Sequence, residues 1–412
     1  MPSFSIALTG LEANSVALDT IGNNLANLNT TAFKTQTTTF SDLFYQNIGT
    51  TGSGDALQVG LGTQVAGTVT NYTGGSLNTA TSSTDMAVNG TGFFVVDAEG
   101  AQDLTRDGNF QLDESGNLQT SSGDGVMGYA AVNGTVSTNT PLTTLQIPVN
   151  ATQAASATAN FSITANLDAA AAVGGAFSQT ITMYDSLGTS HAATIDFTKT
   201  ADNTWSYSIS LPAADLTSGT TTANTTGTLT FDSSGNLVTP ANDVSGIQFT
   251  GLADDANTMT MNWDLYPVGS ATSNITQTVA TSTSTAQTQD GYASGTYSGF
   301  SVSANGVITT SFSNGQTENV GQIAIAKVTN EEGLTIEGSN NYSTTAASGA
   351  ASVGAAGAGG RGTIEDNELE ASNVDISTEF ADLIVAQRAF EANSKTVTTF
   401  DTVTQETINM IH

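Results

Sequence analysis

Apolar residues recur with helical spacing at both ends of the chain. Near the start the steps alternate between four and three residues, along Phe4, Leu8, Leu11, Ser15, Leu18, Gly22 and Leu25. Near the end two rows recur every seven residues, namely Leu383, Phe390, Val397, Thr404 and Ile411, with Ala386, Asn393, Phe400 and Thr407 beside them. This is the period of a coiled-coil seam. It predicts two terminal helices, one over residues 3–28 and one from residues 372–375 to residue 412.

These two stripes are narrower than the apolar face of a helix that lies on a sheet, and they predict an assembly interface. Its predicted members are Phe4, Leu8, Leu11, Leu18, Leu25, Leu383, Phe390, Val397, Phe400 and Ile411. Neither helix can bury its stripe alone, so each needs the other helix or a neighbouring molecule. A run of Ala, Gly and Ser over residues 343–362 predicts a flexible or extended connector before the second helix. The alternative is an ordinary helix pair packed within its own domain.

The chain between the helices has the pattern of short strands and tight turns. The form Asp-x-x-Gly occurs at 97–100, 113–116, 185–188 and 232–235. Asp at the first position and Gly at the fourth suit a type I turn followed by a left-handed residue, which closes a β-hairpin. Alternating apolar residues flank these turns, so the middle of the chain is predicted to be β-structure.

The predicted fold class is therefore multi-domain and mainly β. Two β-sandwich-like or barrel-like domains, one inserted in the other, are expected, with N- and C-terminal α-helices that form a coiled-coil-like core domain. A polar run over residues 281–289 predicts a linker out of the insert. The predicted parts are a helical core domain (1–29 with 370–412), a connector (30–70 with 345–369), a first β domain (71–146 with 284–344) and an inserted β domain (147–283).

The charge of the chain limits its partners. Its 37 acidic and 7 basic residues give a formal net charge of −30. So few basic residues cannot form a basic patch, which argues against nucleic acid and anionic membranes as partners. The sequence also has no apolar run long enough to span a bilayer, so no membrane insertion is expected.

The sequence carries little catalytic or metal-binding chemistry. It has no Cys, which excludes disulfides, thiolate metal sites and Cys nucleophiles. Its two histidines, His191 and His412, are predicted to be a surface residue and a chain terminus rather than metal ligands. No P-loop, zincin motif or nucleophile elbow occurs. We therefore expect no catalytic residues, metal or cofactor; a carboxylate pair of the glycoside-hydrolase kind remains open.

The start of the chain does not have the pattern of a secretory signal. The first basic side chain is Lys34, so the charged region of a signal peptide is missing, and asparagines interrupt any apolar core. If the protein leaves the cell, we expect export without a cleavable signal peptide.

Several motifs of the sequence resemble those of the bacterial flagellar axial proteins of the rod and hook. They are Ile21-Gly-Asn-Asn-Leu-Ala-Asn27, Thr30-Thr-Ala-Phe-Lys34, Asp85-Met-Ala-Val-Asn-Gly-Thr-Gly-Phe-Phe94, Leu369-Glu-Ala-Ser-Asn-Val-Asp375 and Val385-Ala-Gln-Arg-Ala-Phe390. The motif residues expected to matter are Asn23, Asn24, Asn27, Phe33, Lys34, Ser372, Asn373, Val374, Asp375, Gln387 and Arg388. Ala32 departs from the family, which commonly has Gly there.

The resemblance implies a structural subunit that polymerises. Distal rod subunits are similar at their ends but shorter, so the insert over residues 147–283 favours a subunit of the hook, the curved and flexible tube that transmits motor torque to the filament. The implied partners are other copies of the chain, the distal rod, hook cap and hook–filament junction proteins, and the flagellar type III export apparatus. The implied location is the extracellular flagellum.

Three alternatives stay open. A distal rod or hook-associated axial protein of the flagellum would share the terminal motifs. A surface adhesin-like β protein would use the terminal helices for anchoring, and a secreted polysaccharide-active enzyme would need an aromatic-lined cleft with paired carboxylates.

Overall fold

A computed structural model describes residues 2–50 and 56–410, except for the side chains of residues 2 and 3. A helix lies at each end of the chain: α1 spans Pro2–Ala26 and α2 spans Ile376–Met410. With 25 and 35 residues, they are about 38 and 53 Å long at 1.5 Å per residue. The predicted interface residue Ile411 lies outside the described residues.

Short strands make up most of the chain between the helices. Those before the insert are β1 (Gln36–Asp42), β2 (Tyr45–Thr50), β3 (Ala56–Gly60), β4 (Thr63–Thr70), β5 (Leu77–Thr79), β6 (Met86–Asn89), β7 (Phe93–Ala98), β8 (Ala101–Thr105), β9 (Phe110–Leu112), β10 (Leu118–Thr120), β11 (Gly125–Val132), β12 (Thr135–Val136) and β13 (Thr143–Thr144).

The strands that follow are β14 (Thr152–Gln153), β15 (Asn160–Asp168), β16 (Ala176–Tyr184), β17 (Ser190–Ala201), β18 (Thr204–Ser210), β19 (Thr222–Ala223), β20 (Thr226–Phe231), β21 (Leu237–Thr239), β22 (Val244–Phe249), β23 (Met259–Trp263), β24 (Ile275–Thr278), β25 (Thr283–Gln289) and β26 (Gly295–Val302). The last are β27 (Val307–Phe312), β28 (Thr317–Lys327), β29 (Thr335–Gly338), β30 (Asn341–Ser343), β31 (Ser352–Ala355), β32 (Thr363–Asp366) and β33 (Glu368–Glu370). Single 3-10 turns occur at Ala213–Asp215 and Glu331–Gly333. The predicted class, mainly β and multi-domain with a helix at each end, is confirmed.

The chain forms two compact units. Unit 1 comprises the described parts of Met1–Val149, Gly299–Thr310 and Glu318–His412, and unit 2 comprises Asn150–Ser298 and Ser311–Thr317. Unit 2 is an insertion in unit 1, because both of its segments interrupt the chain of unit 1.

Unit 1 contains the helix pair, the β1–β4 ladder and a sheet with the order β28-β11-β7-β8-β30-β29. Four consecutive residues of β7, Phe93 to Val96, are buried, since this strand is covered on both faces. Two short ladders, β5 with β33 and β6 with β32, join the segment before α2 to the segment after β4. Separate hydrogen bonds, from the Ala32 N–H to the Glu370 carbonyl and from the Thr35 N–H to Asn373 Oδ1, bring the segment before α2 close to residues 32–35, more than 300 positions away in the chain.

Unit 2 is a sandwich of two sheets around one core. One sheet has the order β16-β17-β18-β20-β21, and the other has β19-β22-β23-β15-β24 with β25 beside β15. Alternate residues of β17 and β18 are buried, as expected for strands with one face on a core. The shared core includes Trp205, Phe197 and Trp263, and the Tyr207 ring meets Trp263 edge-on with centroids 5.1 Å apart.

Three local predictions were wrong. Residues 281–289 do not form a linker, because β25 pairs antiparallel with β15 from Phe161↔Gln289 to Asn166↔Thr283. Residues 343–362 are not a free connector either, since β31 within them pairs with β28 from Ala324↔Ala355 to Lys327↔Ser352. In both cases backbone hydrogen bonds to a neighbouring strand outweigh a composition that favours a loop.

His191 was predicted at the surface but is buried, with 3% of its area exposed. It lies near the start of β17 on the inward-facing side of the strand, where His191, Ala193 and Ile195 alternate with exposed or half-buried residues. Asp185 and Asp215 accept or share hydrogen bonds with its two ring nitrogens, both at 3.0 Å, so the polar ring is satisfied in the interior.

Candidate assembly surface

Helix α1 turns two different faces to its surroundings. The face against the rest of unit 1 carries small or polar residues, and Ala7, Gly10, Ala13, Thr20 and Asn24 are buried there. The predicted seam lies on another face: Phe4 and Leu8 are 43% and 42% exposed, and Leu11, Leu18 and Leu25 are half-buried. The predicted α1 stripe is therefore an apolar surface that the chain itself covers only in part.

On α2 the predicted seam is the face turned to α1. Leu383, Phe390, Val397 and Phe400 are half-buried and Ala386 is buried, in a helix that is otherwise mostly exposed. A second apolar row, formed by Ile376, Phe380 and Ile384, remains in solvent on α2, and Val385, Val403 and Ile408 are exposed elsewhere on the helix. The three members of the row follow four-residue steps, so they share one side of the helix.

The two helices approach closely at Gly10. A Cβ atom at this position would lie 2.9 Å from Asn393 Nδ2 and 3.1 Å from Asn393 Cγ. Only a residue without a side chain leaves Asn393 undisturbed at this point. The small residues of α1 thus determine how near α2 can lie.

Asn24 connects α1 to both α2 and β1. Its Nδ2 donates to Glu379 Oε1 of α2 at 3.0 Å and to the carbonyl of Gln36 at 2.8 Å, while its Oδ1 accepts from the Gln36 N–H at 3.0 Å. Burial raises the pKa of the Glu379 carboxyl; Asp382 adds to the increase, and the hydrogen bond from Asn24 offsets part of it. Asn24 was singled out from its motif, whereas its partner Glu379 was not.

A buried cluster of charges joins the two terminal motifs. Glu370 on β33 pairs with Lys34 and, at 3.3 Å, with Arg106. Lys34 also donates to the carbonyl of Thr73 at 3.0 Å, and the Gly75 N–H donates to Glu370 at 2.9 Å. Burial lowers the pKa of the Lys34 ammonium, with Glu370 opposing this effect and Arg106 adding to it.

Arg106 and Glu370 were not among the predicted site residues. Glu370 lies within the C-terminal motif Leu369–Asp375, so it could have been selected from the sequence with the other residues of that motif. Arg106 gave no such signal, because it lies on a separate strand connection and reaches the cluster only through the fold.

Asn373 holds the segment that leads into α2. Its Oδ1 accepts from the N–H and hydroxyl of Thr35 at 2.7 and 2.6 Å, and its Nδ2 donates to the carbonyls of Asn71 and Thr73 at 2.8 and 3.0 Å. Asp375 caps α2, since its Oδ1 accepts from the N–H groups of Ser377 and Thr378. The motif residues of this segment therefore fix where and in which direction α2 begins.

The other motif residues have varied environments. Val374 is buried, Phe33 and Ser372 are half-buried, and Asn27 bonds back to the Asn23 carbonyl at 2.9 Å. Gln387 and Arg388 are exposed on α2. The structure thus brings Asn24, Lys34, Asn373 and Asp375 together around the start of α2, and it leaves Gln387 and Arg388 on the outer side of the helix.

Another apolar surface was missed from the sequence. The β2–β3 hairpin carries Phe44, Tyr45, Ile48, Leu57 and Val59 in exposed positions, with 87% of Phe44 in contact with solvent. Every residue of β2 is exposed. A hairpin without a covered face is unusual for an isolated soluble molecule, and its short strands gave no helical or alternating signal in the sequence.

Among residues 2–50 and 56–410, no helix is both long and apolar enough to cross a membrane. In unit 2, Asp185, His191 and Asp254 form a group whose possible ligand atoms lie within 4.8 Å of one another.

Family models of known proteins match segments of this chain that include both terminal helices and parts of both β units. Four family models match the chain: "Flagella basal body rod protein" over residues 4–34, "Flagellar hook protein FlgE/F/G D1 domain" over 87–166, "Flagellar basal body protein FlaE D2 domain" over 155–292 and "Flagellar basal body rod FlgEFG protein C-terminal" over 366–410.

Relatives match along the whole chain. The flagellar hook protein FlgE of Escherichia coli (strain K12) is 34% identical, over 99% of this chain and 100% of that protein. The protein of the same name from Treponema pallidum (strain Nichols) is 31% identical, over 100% and 99%. The crystal structure of Helicobacter pylori flagellar hook protein FlgE2 shares the fold with a TM-score of 0.53 and 16% identity, over 71% of this chain and 100% of that one. The chain belongs to the flagellar hook protein FlgE family.

Proposed function

We propose that the chain polymerises through its two terminal helices into the curved, flexible tube of the flagellar hook and thereby transmits motor torque to the filament. As a member of this family it is a structural subunit of the flagellum and not an enzyme. The observation that carries the proposal is the partly uncovered stripe on α1, where Phe4 and Leu8 remain exposed although α2 is already packed against another face.

A second apolar row on α2 supports the same proposal. With uncovered rows on both helices, one molecule can use its α1 stripe against the α2 row of the next. Such a contact is heterologous, and when its rotation does not close it generates a helical tube. Burial of these side chains drives the contact at about 25 cal/mol per Å² of apolar surface.

The division of the chain that we propose has four parts. The helical core domain (1–29 with 370–412) would line the tube, the connector (30–70 with 345–369) would join it to the first β domain (71–146 with 284–344), and the inserted domain (147–283) would lie outermost. The boundary after the insert moves in one respect, since β25 and the residues up to Ser298 belong to unit 2. The β domains carry like charge and few exposed apolar residues, so they would slide against their neighbours as the tube bends. Stiffness would then come from the core helices and flexibility from the outer contacts.

We further propose the neighbours of the subunit within the flagellum. Other copies of the chain would be its main partners, the distal rod and hook–filament junction proteins would join the ends of the tube, and the hook cap protein would cover its growing end. Export would use the flagellar type III apparatus, which is consistent with a chain without Cys that is threaded unfolded.

The test separates folding from assembly. Phe4→Ser combined with Leu8→Ser should leave the purified chain monomeric and as stable as the wild type, but it should prevent tube formation seen by electron microscopy. Val173→Ser is the matched control, because this exposed valine lies in unit 2. Deletion of residues 372–412 should also leave a soluble β protein without tubes. Tubes from the double variant or from the truncation would overturn the proposal.

A further inference from the structure

Three loops of unit 2 meet at the buried side chain of His191. Asp185 lies in the turn between β16 and β17, Asp215 ends the 3-10 turn after β18, and Asp254 follows β22. One ligand atom each from Asp185, His191 and Asp254 lies within 4.8 Å of the other two. Asp185 and His191 are both buried, with 0% and 3% of their areas exposed.

Asp215 fixes the orientation of the imidazole. Its Oδ2 lies 3.0 Å from His191 Nδ1 and accepts a hydrogen bond from it, while Nε2 lies 3.0 Å from Asp185 Oδ2. A metal ion bound at Nε2 would take the place of the proton on that nitrogen. A carboxylate on the far nitrogen of a histidine is the usual arrangement behind a metal-ligating imidazole, because it selects the tautomer and strengthens the ligand.

The Asp185 carboxylate is also held in place. Its Oδ1 accepts from the N–H groups of Leu187 and Thr189 at 2.8 and 3.0 Å, which leaves Oδ2 for the group around His191. The loop that carries Asp254 is attached to the same turn, since the Asn257 N–H donates to Ser186 Oγ at 3.0 Å. The ligand atoms are therefore positioned by the backbone of two connected loops.

Asp254 supplies an independent sign that a cation belongs here. Asp254 is partly exposed, and its Oδ1 accepts from the Ala256 N–H at 3.2 Å; its Oδ2 is buried and receives no hydrogen bond from an N–H or hydroxyl group among the described residues. A buried carboxylate oxygen without a partner is costly. Asp254 also lies beside the Asp185 carboxylate, close enough for the two carboxyl groups to share a hydrogen bond through one proton. A positive ion in place of that proton would give the Asp254 oxygen a partner while both carboxylates stay ionised.

We propose that unit 2 binds one divalent transition-metal ion of the Zn²⁺ class through His191 Nε2, Asp185 and Asp254, with Asp215 as the positioning residue behind His191. One imidazole and two carboxylates match the three-ligand sites of Zn²⁺, in which water fills the fourth position. Ca²⁺ is a poorer fit because it takes six to eight oxygen ligands. The bound ion would join the β16–β17 turn to the loop after β22 and stiffen that end of the sandwich.

The first experiment is calorimetric titration of the chelator-treated full chain with ZnCl₂. We expect one site per chain, at least tenfold weaker in Asp254→Asn and in His191→Asn. Two controls should bind like the wild type: His412→Asn removes the other histidine, and Asp113→Asn removes a turn carboxylate outside the group. Wild-type binding no tighter than that of Asp254→Asn, or binding lost in His412→Asn, would overturn the proposal.

Thermal unfolding gives a second measurement that a purely structural role would not reproduce. Asp254→Asn should fold, because asparagine keeps the shape of the side chain and the oxygen that accepts from the Ala256 N–H, and it should show no rise in Tm when Zn²⁺ is added. The wild type and His412→Asn should both gain Tm with Zn²⁺, as expected for a ligand that binds only the folded state. Co²⁺ in place of Zn²⁺ should give the strong ligand-field absorption of four-coordinate geometry; a weak octahedral spectrum would contradict the proposed ligand set.

Discussion

At the scale of single residues, the ion cluster around Glu370 is the most constrained feature of unit 1. One carboxylate faces two cations, Lys34 and Arg106, and all three side chains are buried. Burial of an ion is expensive, and the lowered pKa of Lys34 reflects that cost. Such a cluster is stable only while its members are all present, since removal of one leaves an unpaired charge in the interior.

We therefore predict that Glu370→Gln lowers the free energy of unfolding by about 3–5 kcal/mol, the range for a broken buried ion pair. Glutamine has the shape of glutamate, so the loss reports the charge, with two cations left unpaired. The measurement is urea unfolding followed by circular dichroism of the helices, because α1 and α2 both belong to unit 1. Glu368→Gln on the same strand is the control and should change stability by less than about 0.5 kcal/mol. Equal losses in both variants would contradict this account of the cluster.

The contact between Asn24 and Glu379 gives a pH-dependent prediction. Because burial raises the folded-state pKa of Glu379 above 4.5, the folded chain binds more protons here than the unfolded chain. The stability contributed by Glu379 is then fully present below pH 4.5 and is lost as the pH rises through the folded-state pKa. The difference in unfolding free energy between wild type and Glu379→Gln should therefore favour the wild type more at low pH than at pH 7. If the difference in unfolding free energy stays constant with pH, or grows as the pH rises, the prediction is wrong.

Residue motifs predicted important positions better than they predicted partners. Asn24, Lys34 and Asn373 were selected from the sequence, and each makes several hydrogen bonds in the structure. Their partners Glu379 and Glu370 were missed; the Asn24–Glu379 contact, for example, joins positions 355 residues apart, and no local pattern encodes it. Ala32 shows the opposite case: its φ of 56° lies in the left-handed region, which explains in physical terms why glycine suits this position.

At the scale of elements, the two helices differ in how they use their apolar stripes. The α2 seam packs toward α1, whereas α1 meets its neighbours through Ala7, Gly10 and Ala13 and leaves its larger apolar residues partly in solvent. Periodicity identifies an apolar face, but it does not tell which neighbour covers that face. The small residues Ala7, Gly10 and Ala13 indicate which face of α1 is covered, since they allow the backbones of α1 and its neighbours to approach closely.

We predict that Gly10→Leu destabilises the helix pair by about 1–3 kcal/mol, the usual cost of overpacking. The new side chain would meet Asn393, which lies 2.9 Å from the position of a Cβ atom. Gly22→Leu in the same helix is the matched control, because apart from its chain neighbours and the nearby backbone of α1 no atom of the described residues lies within 4 Å of its Cβ position. Helix content measured by circular dichroism during urea unfolding should fall earlier only for Gly10→Leu.

The same pair of variants distinguishes folding from polymerisation. Gly22 lies on the outer stripe of α1, so Gly22→Leu should keep the stability of the monomer and reduce tube formation. Gly10→Leu should impair both. If Gly22→Leu forms tubes as readily as the wild type, the outer stripe of α1 is not an assembly surface at that position.

Strand elements were predicted well where apolar residues alternate and poorly where they do not. β17 and β18 have clear alternation and were expected as strands. β25 is composed of Thr, Ser, Ala and Gln, and its burial pattern is mostly exposed, so its sequence resembles that of a linker. It is a strand because the edge of β15 offers a row of hydrogen-bonding groups, which is a property of the fold and not of residues 283–289.

At the scale of the whole molecule, the insert is a self-contained folding unit. Its core draws on both of its own sheets and includes Phe161, Ile195, Trp205 and Trp263. Its two ends are adjacent, since the Ser156 N–H donates to the Tyr292 carbonyl at 3.0 Å and the Tyr292 N–H donates to the Ser156 carbonyl at 2.9 Å. A domain with adjacent ends can be inserted or removed with little effect on the chain around it.

We predict that a chain in which residues 157–291 are replaced by a short Gly-Ser linker still folds and polymerises. The linker only has to span the hydrogen-bonded pair Ser156 and Tyr292, and the surfaces proposed for assembly lie on α1 and α2. If the insert lies outermost as proposed, electron microscopy should show tubes of smaller diameter, and their curvature should differ from that of wild-type tubes because the contacts proposed for the insert are absent. The control is the same deletion with Leu8→Ser, which should give folded monomers without tubes. A deletion variant that keeps the helix content of unit 1 but never polymerises would place essential assembly contacts in the insert.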